Sequence, residues 1–260
     1  MDRPGEGLRV ALFATCINDV MFPDTCKATV KVLERLGCEV DFPMAQTCCG
    51  QMFTNTGYYK EGLATVKTYL EAFEGYDYVV APSASCVGSV RHQHPMLARW
   101  AKDVELEKRA EAIAAKSFDL TEFIVNVLHT TDVGAFFPHK VTYHTTCHSI
   151  RVEKVGDAPF QLLAKVKGMT FVPLPNDEFG LNTANECCGF GGTFSLKNPD
   201  VSVAMATEKV RNILDTEVEY VVAGDNSCLM NIGGILRRGK APIKPLHIAE
   251  LLAQTEEEAK

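Results

Sequence analysis

The stretch YVVAPSASC at residues 78–86 has a near copy, YVVAGDNSC, at residues 220–228. Each copy is a short apolar run rich in β-branched residues, followed by a polar segment that ends in cysteine. Such a run is typical of a buried strand in a parallel sheet. The repetition therefore predicts that the chain contains this strand twice, each time with a cysteine beyond the strand's carboxyl end.

Other cysteines recur in the same order around these two stretches. RVALFATC ends at Cys16, KVTYHTTC ends at Cys147, and a CCG follows each of them. Of the ten cysteines, Cys26 and Cys38 have no counterpart, and we interpret them as packing residues. The remaining cysteines form two groups, which are Cys16, Cys48, Cys49 and Cys86 in the first copy and Cys147, Cys187, Cys188 and Cys228 in the second.

Predicted strands and helices alternate between these cysteines. Residues 25–37 place apolar or small side chains at helical spacing before a glycine, and residues 57–75 predict a second helix that ends in the same way. In the second copy, Asn198 can cap a helix that has Pro199 at its first position. This order predicts an α/β fold of two similar lobes from an internal duplication, each a small parallel sheet flanked by helices.

The same pattern predicts how the chain is divided. We expect a first lobe at residues 1–100, a helical connection at 101–139 and a second lobe at 140–260. The connection is expected to be helical because it contains ELEKRAEAIAAK and LTEFIVNVLH.

Each group of four thiols is expected to meet at one edge of its sheet. The loops beyond the carboxyl ends of parallel strands lie together and form the usual binding site of such folds. Structural zinc usually takes cysteines from short C-x₂₋₄-C knuckles, which neither group contains. Iron–sulfur clusters also take four cysteines. The pattern favours an iron–sulfur site, while zinc or a purely structural role of the thiols stays open.

The composition and net charge of the chain indicate which classes of protein are not expected. The chain has 260 residues, 46% hydrophobic content, a net charge of −7 and a sequence pI of about 5.5. A mildly acidic chain without a Lys/Arg run is not expected to bind nucleic acid. We also expect no transmembrane segment, no signal peptide and a cytoplasmic location. In a reducing compartment, clustered cysteines are typical of metal ligands or reactive thiols.

The C…CCG…C pattern, present twice, resembles the cysteine-rich CCG domain family. That family includes the CCG-containing subunit of heterodisulfide reductase and the iron–sulfur subunits of glycolate oxidase and anaerobic glycerol-3-phosphate dehydrogenase. Over nearly its full length the chain is similar to the lactate utilization protein A family, through RVALFATC, LERLGCEVDFP, LTEFIVNVL, CCGFGGTFS, CLMNIGG and HIAELL. The resemblance implies one component of a three-protein bacterial system that oxidises L-lactate to pyruvate.

The resemblance also implies iron–sulfur cofactors bound by the eight paired cysteines. In the family's fuller pattern the last cysteine opens a C-x-x-C, whereas Ser89 and Asn231 stand at that place here. Four thiols per lobe therefore suit one [4Fe-4S] cluster each better than the five-cysteine cluster of the heterodisulfide enzymes. We expect Ser89 and Asn231 to form hydrogen bonds near the clusters.

Partners are expected because the chain contains no ferredoxin-type C-x₂-C-x₂-C-x₃-C run. Other iron–sulfur subunits of a lactate-oxidising complex would then carry the electrons onward, and a small hydroxy acid is a candidate ligand. Residues 188–194, CGFGGTF, lack the G-x-G-x-x-G spacing, so we expect no NAD or FAD. A cluster-dependent thiol/disulfide reductase subunit and a zinc-stapled interaction protein stay open as alternatives.

Three residues near Cys147 are candidate catalytic residues. His144 or His148 could take the proton that lactate loses or bind its carboxylate, although a hydrogen-bonded loop histidine or an occasional cluster ligand is the simpler interpretation. Arg151 suits bidentate recognition of a carboxylate. His92 and His94, which stand beside Pro95, are expected at a solvated helix end.

Overall fold

The computed structural model describes residues 3–177 and 180–258. The chain folds into two compact units, Met1–Val133 and Gly134–Lys260. Each unit contains a four-stranded parallel sheet with helices, which confirms the predicted α/β fold of two similar lobes. No helix of the described ranges is both long and apolar enough to cross a bilayer.

The first unit is built around a sheet of strand order β2-β1-β3-β4, in which every neighbouring pair is parallel. The strands are β1 (Arg9–Leu12), β2 (Glu39–Asp41), β3 (Tyr78–Ala81) and β4 (Ser117–Asp119). The helices are α1 (Cys16–Met21), α2 (Pro23–Arg35), α3 (Gln51–Asn55), α4 (Tyr59–Phe73), α5 (Ala84–Gly88), α6 (His94–Trp100), α7 (Val104–Ala114) and α8 (Leu120–Glu122), with π-helical turns at Ser89–Gln93 and Phe123–Val127.

The second unit repeats this topology with the order β6-β5-β7-β8, again all parallel. Its strands are β5 (Lys140–His144), β6 (Thr170–Phe171), β7 (Tyr220–Ala223) and β8 (Lys244–His247). Its helices are α9 (Ala158–Leu163), α10 (Phe194–Lys197), α11 (Pro199–Leu214), α12 (Asn226–Arg238) and α13 (Ile248–Ala253), with a π-helical turn at Ser149–Glu153 and a 3₁₀ turn at Thr183–Asn185.

Strand order places the cysteines at a topological switch point. From β1 the chain crosses to β2 on one side and then to β3 on the other, so the loops that follow β1 and β3 diverge and leave a crevice between them. Cys16 follows β1 and Cys86 follows β3. Cys147 and Cys228 follow β5 and β7 in the second unit in the same way.

The long helix after the cysteine pair is equivalent in the two units. The buried positions of α11 all lie 140 residues after the buried positions of α4. They are Gly62, Val66, Tyr69, Leu70 and Phe73 in α4 and Ser202, Ala206, Lys209, Val210 and Ile213 in α11. This correspondence allows the two units to be compared residue by residue.

Two local features differ from the sequence-based expectation. The segment expected as a helical connection, residues 101–139, contributes α7 and also β4, which pairs with β3 as the fourth strand of the first sheet. At the start of α11, Pro199 occupies the first turn as predicted, but the side chain of Asn198 forms no capping hydrogen bond. The backbone of Asn198, at φ −131° and ψ 58°, is outside the extended conformation from which a capping side chain usually reaches back.

Candidate metal centres

The first unit brings its four paired cysteines to one place. Cys16 begins α1, the Cys48–Cys49 pair precedes α3, and Cys86 lies in α5. The Sγ atoms of Cys16 and Cys48 are 3.5 Å apart. Cys49 is buried and shares hydrogen bonds with both Cys48 and Cys86. The four thiols therefore form one connected group.

The second unit repeats this group with slightly wider spacing. The Sγ atoms of Cys147 and Cys187 are 3.9 Å apart. Cys188 is buried and shares hydrogen bonds with both Cys187 and Cys228. Cys26 and Cys38 belong to neither group, and the Cys26 thiol instead lies 3.6 Å from the carbonyl of Ala14.

A glycine in a left-handed conformation follows each cysteine pair and shapes it. Gly50 has φ 77° and donates its N–H to Cys48 Sγ at 3.5 Å; Gly189 has φ 84° and donates to Cys187 Sγ at 3.4 Å. A Cβ atom at Gly50 would lie 2.1 Å from Thr65 Oγ1, and one at Gly189 would lie 2.7 Å from the carbonyl oxygen of Ser202. Only glycine suits both the backbone angle and the space.

Hydrogen bonds favour the thiolate form of one cysteine in each group. Those from Cys16 and Cys49 and from the Gly50 N–H lower the pKa of Cys48. Those from Cys147 and Cys188 lower the pKa of Cys187 in the same way. The pKa values of the donor thiols rise for the same reason, with burial adding to the effect. A metal would displace these remaining protons on binding.

The backbone carbonyl of the second cysteine is held by side chains in both units. Ser89 Oγ donates to the Cys49 carbonyl at 3.3 Å, and His94 Nε2 donates to the same oxygen at 2.9 Å. In the second unit Asn231 Nδ2 donates to the Cys188 carbonyl at 2.8 Å. Ser89 and Asn231, which stand where a fifth cysteine would complete C-x-x-C, thus fix the backbone of the cysteine pair.

His94 corrects one sequence-based expectation. It is completely buried rather than solvated, and its ring packs edge-on against Tyr69 with centroids 5.1 Å apart. Burial lowers its pKa to about 4. Pro95 marks a helix start, as expected from its lack of an N–H, but this helix start faces the core of the unit.

The three candidate catalytic residues lie in different surroundings. His148 Nδ1 is 3.5 Å from Cys147 Sγ. Arg151 is exposed, and its Nη2 donates to the carbonyl of Asn185 at 3.3 Å. His144 is fully buried at the end of β5, and one of its ring nitrogens lies with Cys188 Sγ and Cys228 Sγ inside a group whose atoms are all within 4.8 Å of one another.

Sequence reasoning missed Lys209, whose amine is buried beside the second group of thiols. Its side chain is 0% exposed, its Nζ donates to the carbonyl of Thr183, and Glu186 Oε2 lies 3.7 Å away. Burial lowers its pKa, while Glu186 and the cysteines Cys188 and Cys187 oppose that shift. Aligning the two repeats would have found it, because its counterpart in the first unit is the uncharged Tyr69.

The donor sets suit a thiophilic metal ion or a metal–sulfur cluster. Four cysteine sulfur atoms are ligands that select zinc, copper(I) or iron–sulfur clusters over magnesium or calcium. Two thiolates on one tetrahedral ion with bonds of ~2.3 Å would be ~3.8 Å apart. The observed 3.5 and 3.9 Å separations match that spacing, so a wider cluster requires the thiols to move apart.

Comparison with known proteins identifies the domain and the relatives. The model of the cysteine-rich CCG domain matches residues 10–91 and 141–233. Proteins called lactate utilization protein A are similar over 94% of this chain: one from Exiguobacterium sp. is 52% identical over 96% of its own length, and one from Geobacillus sp. is 49% identical over 99%. The protein of that name from Oceanobacillus iheyensis is 48% identical over 96% of its length.

The similarity of this chain to a solved glutamate racemase is weak. A glutamate racemase from Bacillus anthracis aligns with 96% of this chain and 79% of its own at 9% identity, with a TM-score of 0.36. A match at this level supports no conclusion about the fold or activity. The two matched domains and the near full-length similarity together show that this chain belongs to the lactate utilization protein A family of cysteine-rich CCG domain proteins.

Proposed function

We propose that this protein is an iron–sulfur component of a multi-protein system that oxidises L-lactate to pyruvate. Each unit would bind one [4Fe-4S] cluster through its four paired cysteines and pass electrons to a partner. The observation that carries the proposal is the duplicated group of four thiols, each with a glycine N–H donated to a sulfur. Relatives of nearly the same length are called lactate utilization protein A.

Two one-electron sites suit this reaction. Oxidation of lactate to pyruvate releases two electrons and two protons, and a cluster usually carries one electron at a time. Hydrogen bonds from backbone N–H groups to cluster sulfurs also help to set the reduction potential of such a site. The chain lacks a ferredoxin-type cysteine run, so we propose that other iron–sulfur subunits accept the electrons.

Binding of lactate to this chain would depend on the second unit. Arg151 is exposed and carries the guanidinium group that suits a carboxylate, and His148 lies beside Cys147. His144 is buried and therefore poorly placed to meet a substrate from solution. Among the candidates named from the sequence, Arg151 and His148 are the pair that fits a hydroxy-acid ligand.

Zinc is the second candidate, and a specific observation favours it. The Sγ separations of 3.5 and 3.9 Å are those of two ligands on one ion. In that case zinc would stabilise each unit, and the protein would bind its partners without taking part in a redox reaction. A thiol/disulfide reductase is less well supported, because Ser89 and Asn231 hold backbone carbonyls at the positions of the fifth cysteines.

The test is to purify the protein without oxygen and measure iron, acid-labile sulfide, zinc and the low-temperature EPR spectrum. We expect about eight irons with matching sulfide, and about half of that in Cys48→Ala and in Cys187→Ala. Cys26→Ala is the matched control and should keep all its iron, since its thiol lies outside both groups. Zinc without sulfide would overturn the redox proposal.

The same variants test the metabolic role. In a strain that lacks this gene and any other lactate dehydrogenase, the wild-type protein and Cys26→Ala should restore growth on lactate, while Cys48→Ala and Cys187→Ala should not. All strains should grow on pyruvate. Growth on lactate without the gene would remove the metabolic assignment while leaving the metal analysis intact.

A further inference from the structure

His144 is a buried imidazole whose ring nitrogens form no hydrogen bond of normal geometry in the described part of the chain. It ends β5 and is 0% exposed, and both Nδ1 and Nε2 are left unsatisfied there. Leaving a buried polar group unsatisfied costs about 1–3 kcal/mol, so such a group calls for an explanation. A ligand that occupies one of the nitrogens would remove this cost.

The surroundings of His144 provide the other ligands that a metal needs. A ring nitrogen of His144 and the Sγ atoms of Cys188 and Cys228 lie within 4.8 Å of one another, and all three residues are buried. Imidazole and thiolate are the two ligand types that zinc and several iron–sulfur centres combine. Three buried donor atoms that converge in this way make up the donor set that a mixed nitrogen and sulfur metal site requires.

The groups around the His144 ring also suit a metal ligand. The side chains of Lys209 and Cys187 and the backbone of Ala184 face the ring. A metal-bound histidine usually donates its other N–H to a carboxylate or a backbone carbonyl, and the Ala184 carbonyl is an acceptor of that kind.

The first unit lacks this ligand. Phe13 precedes Cys16 by the same three residues by which His144 precedes Cys147. It is fully buried and packs edge-on against Tyr69, with ring centroids 5.1 Å apart. The position three residues before the first cysteine is thus apolar in the first unit and carries a nitrogen donor in the second.

We infer that His144 is a nitrogen ligand of the metal ion or cluster held by the second unit, so that the two units bind their metals with different ligand sets. This inference rests on the metal-binding part of the proposed function and not on electron transfer or lactate. It holds for an iron–sulfur cluster and for zinc alike.

The test compares the wild-type protein with His144→Phe. Phenylalanine is chosen because Phe13 occupies the equivalent position in the first unit. His148→Phe is the matched control, because its ring lies 3.5 Å from Cys147 Sγ without belonging to the converging group. Protein is prepared without oxygen, with natural and with ¹⁵N-labelled histidine. Pulsed EPR of the reduced protein detects nitrogen bound to iron, and X-ray absorption at the zinc edge does so if zinc is present.

Wild-type protein should show a strong nitrogen coupling that changes with the ¹⁵N label, persists in His148→Phe and disappears in His144→Phe. Affinity of the second unit for its metal should fall at least about tenfold in His144→Phe. A metal-loaded wild-type protein without bound histidine nitrogen, or a coupling that survives in His144→Phe, overturns the inference and leaves the proposed function standing. A second unit without any metal overturns both. The wild-type measurement decides the matter even if His144→Phe does not fold.

Discussion

Single residues determine how each cysteine pair presents its sulfur atoms. Gly50 and Gly189 adopt left-handed angles that turn the backbone N–H toward the first sulfur of the pair. For a non-glycine residue such angles cost about 1–2 kcal/mol. At Gly189 a side chain would also meet the backbone of Ser202, which cannot rotate away.

Gly189→Ala is therefore expected to destabilise the second unit by about 3 kcal/mol, which combines backbone strain with the overlap at the Ser202 carbonyl. Gly156→Ala is the matched control, since Gly156 also has a positive φ, 65°, but no atom within 4 Å of the added Cβ. That variant should lose only about 1 kcal/mol. Urea unfolding of both variants measures the difference, and equal losses would show that the contact with Ser202 is harmless.

Buried residues near the cysteine groups were harder to predict from the sequence than the cysteines themselves. The cysteines were predictable because they repeat, and Gly50 and Gly189 because they follow the cysteine pairs. His94 was expected in solvent because a histidine beside proline has no pattern that marks burial. Lys209 sits at a buried helical position where lysine is rarely found, so only the comparison with Tyr69 reveals it.

At the scale of elements, the π-helical turn Ser89–Gln93 connects α5 to α6 and carries Ser89 toward the Cys49 carbonyl. Arg91 links this turn to β4, the edge strand of the first sheet. Its guanidinium donates to both carboxylate oxygens of Glu122, at 3.2 and 2.7 Å, and to the Ser117 carbonyl at 2.7 Å. Both charged side chains are mostly buried, at 17% and 13% exposure, so solvent screens this pair little.

Arg91→Met should destabilise the first unit by about 2–3 kcal/mol, because it leaves Glu122 mostly buried without its bidentate partner. Arg9→Met is the matched control: the Arg9–Asp41 pair is 55% exposed on both sides, and its loss should cost under about 1 kcal/mol. Thermal or urea unfolding compares the two variants. A small effect of Arg91→Met would mean that the turn is held by packing alone.

Elements differed in how well the sequence predicted them. YVVA in β3 and β7 is a run of β-branched and aromatic residues between turns, which is why both strands were predicted. The fourth strand of the first sheet, β4, has only three residues, SFD, directly after the helix α7. Such a short edge strand gains its stability from pairing with β3, and no local periodicity marks it.

At the scale of the whole molecule, two units of one topology differ in charge behind their thiols. Phe13 and Tyr69 pack against each other in the first unit, while His144 and Lys209 occupy the equivalent places in the second. A buried positive charge near an anionic cluster favours the more negative, reduced state and so raises the reduction potential. If each unit binds the proposed cluster, the two clusters are therefore expected to accept electrons at different potentials.

With the proposed clusters bound, Lys209→Met should lower the reduction potential of one cluster and leave that of the other unchanged, because it removes a buried positive charge from the second unit alone. Glu186→Gln should shift the same cluster in the opposite direction, since it removes the negative charge 3.7 Å from Lys209. Redox titration followed by EPR measures both. Shifts of the same sign in the two variants, or of both clusters, would contradict the electrostatic assignment.

The backbone carbonyl of the second cysteine in each pair is held by different side chains in the two units. Ser89 together with His94 holds it in the first unit, and Asn231 holds it in the second. After a duplication, each copy is free to drift as long as its protein still works. The two copies meet one requirement, a fixed carbonyl at the cysteine pair, with different side chains, so a hydroxyl with an imidazole and a single amide are interchangeable solutions to it.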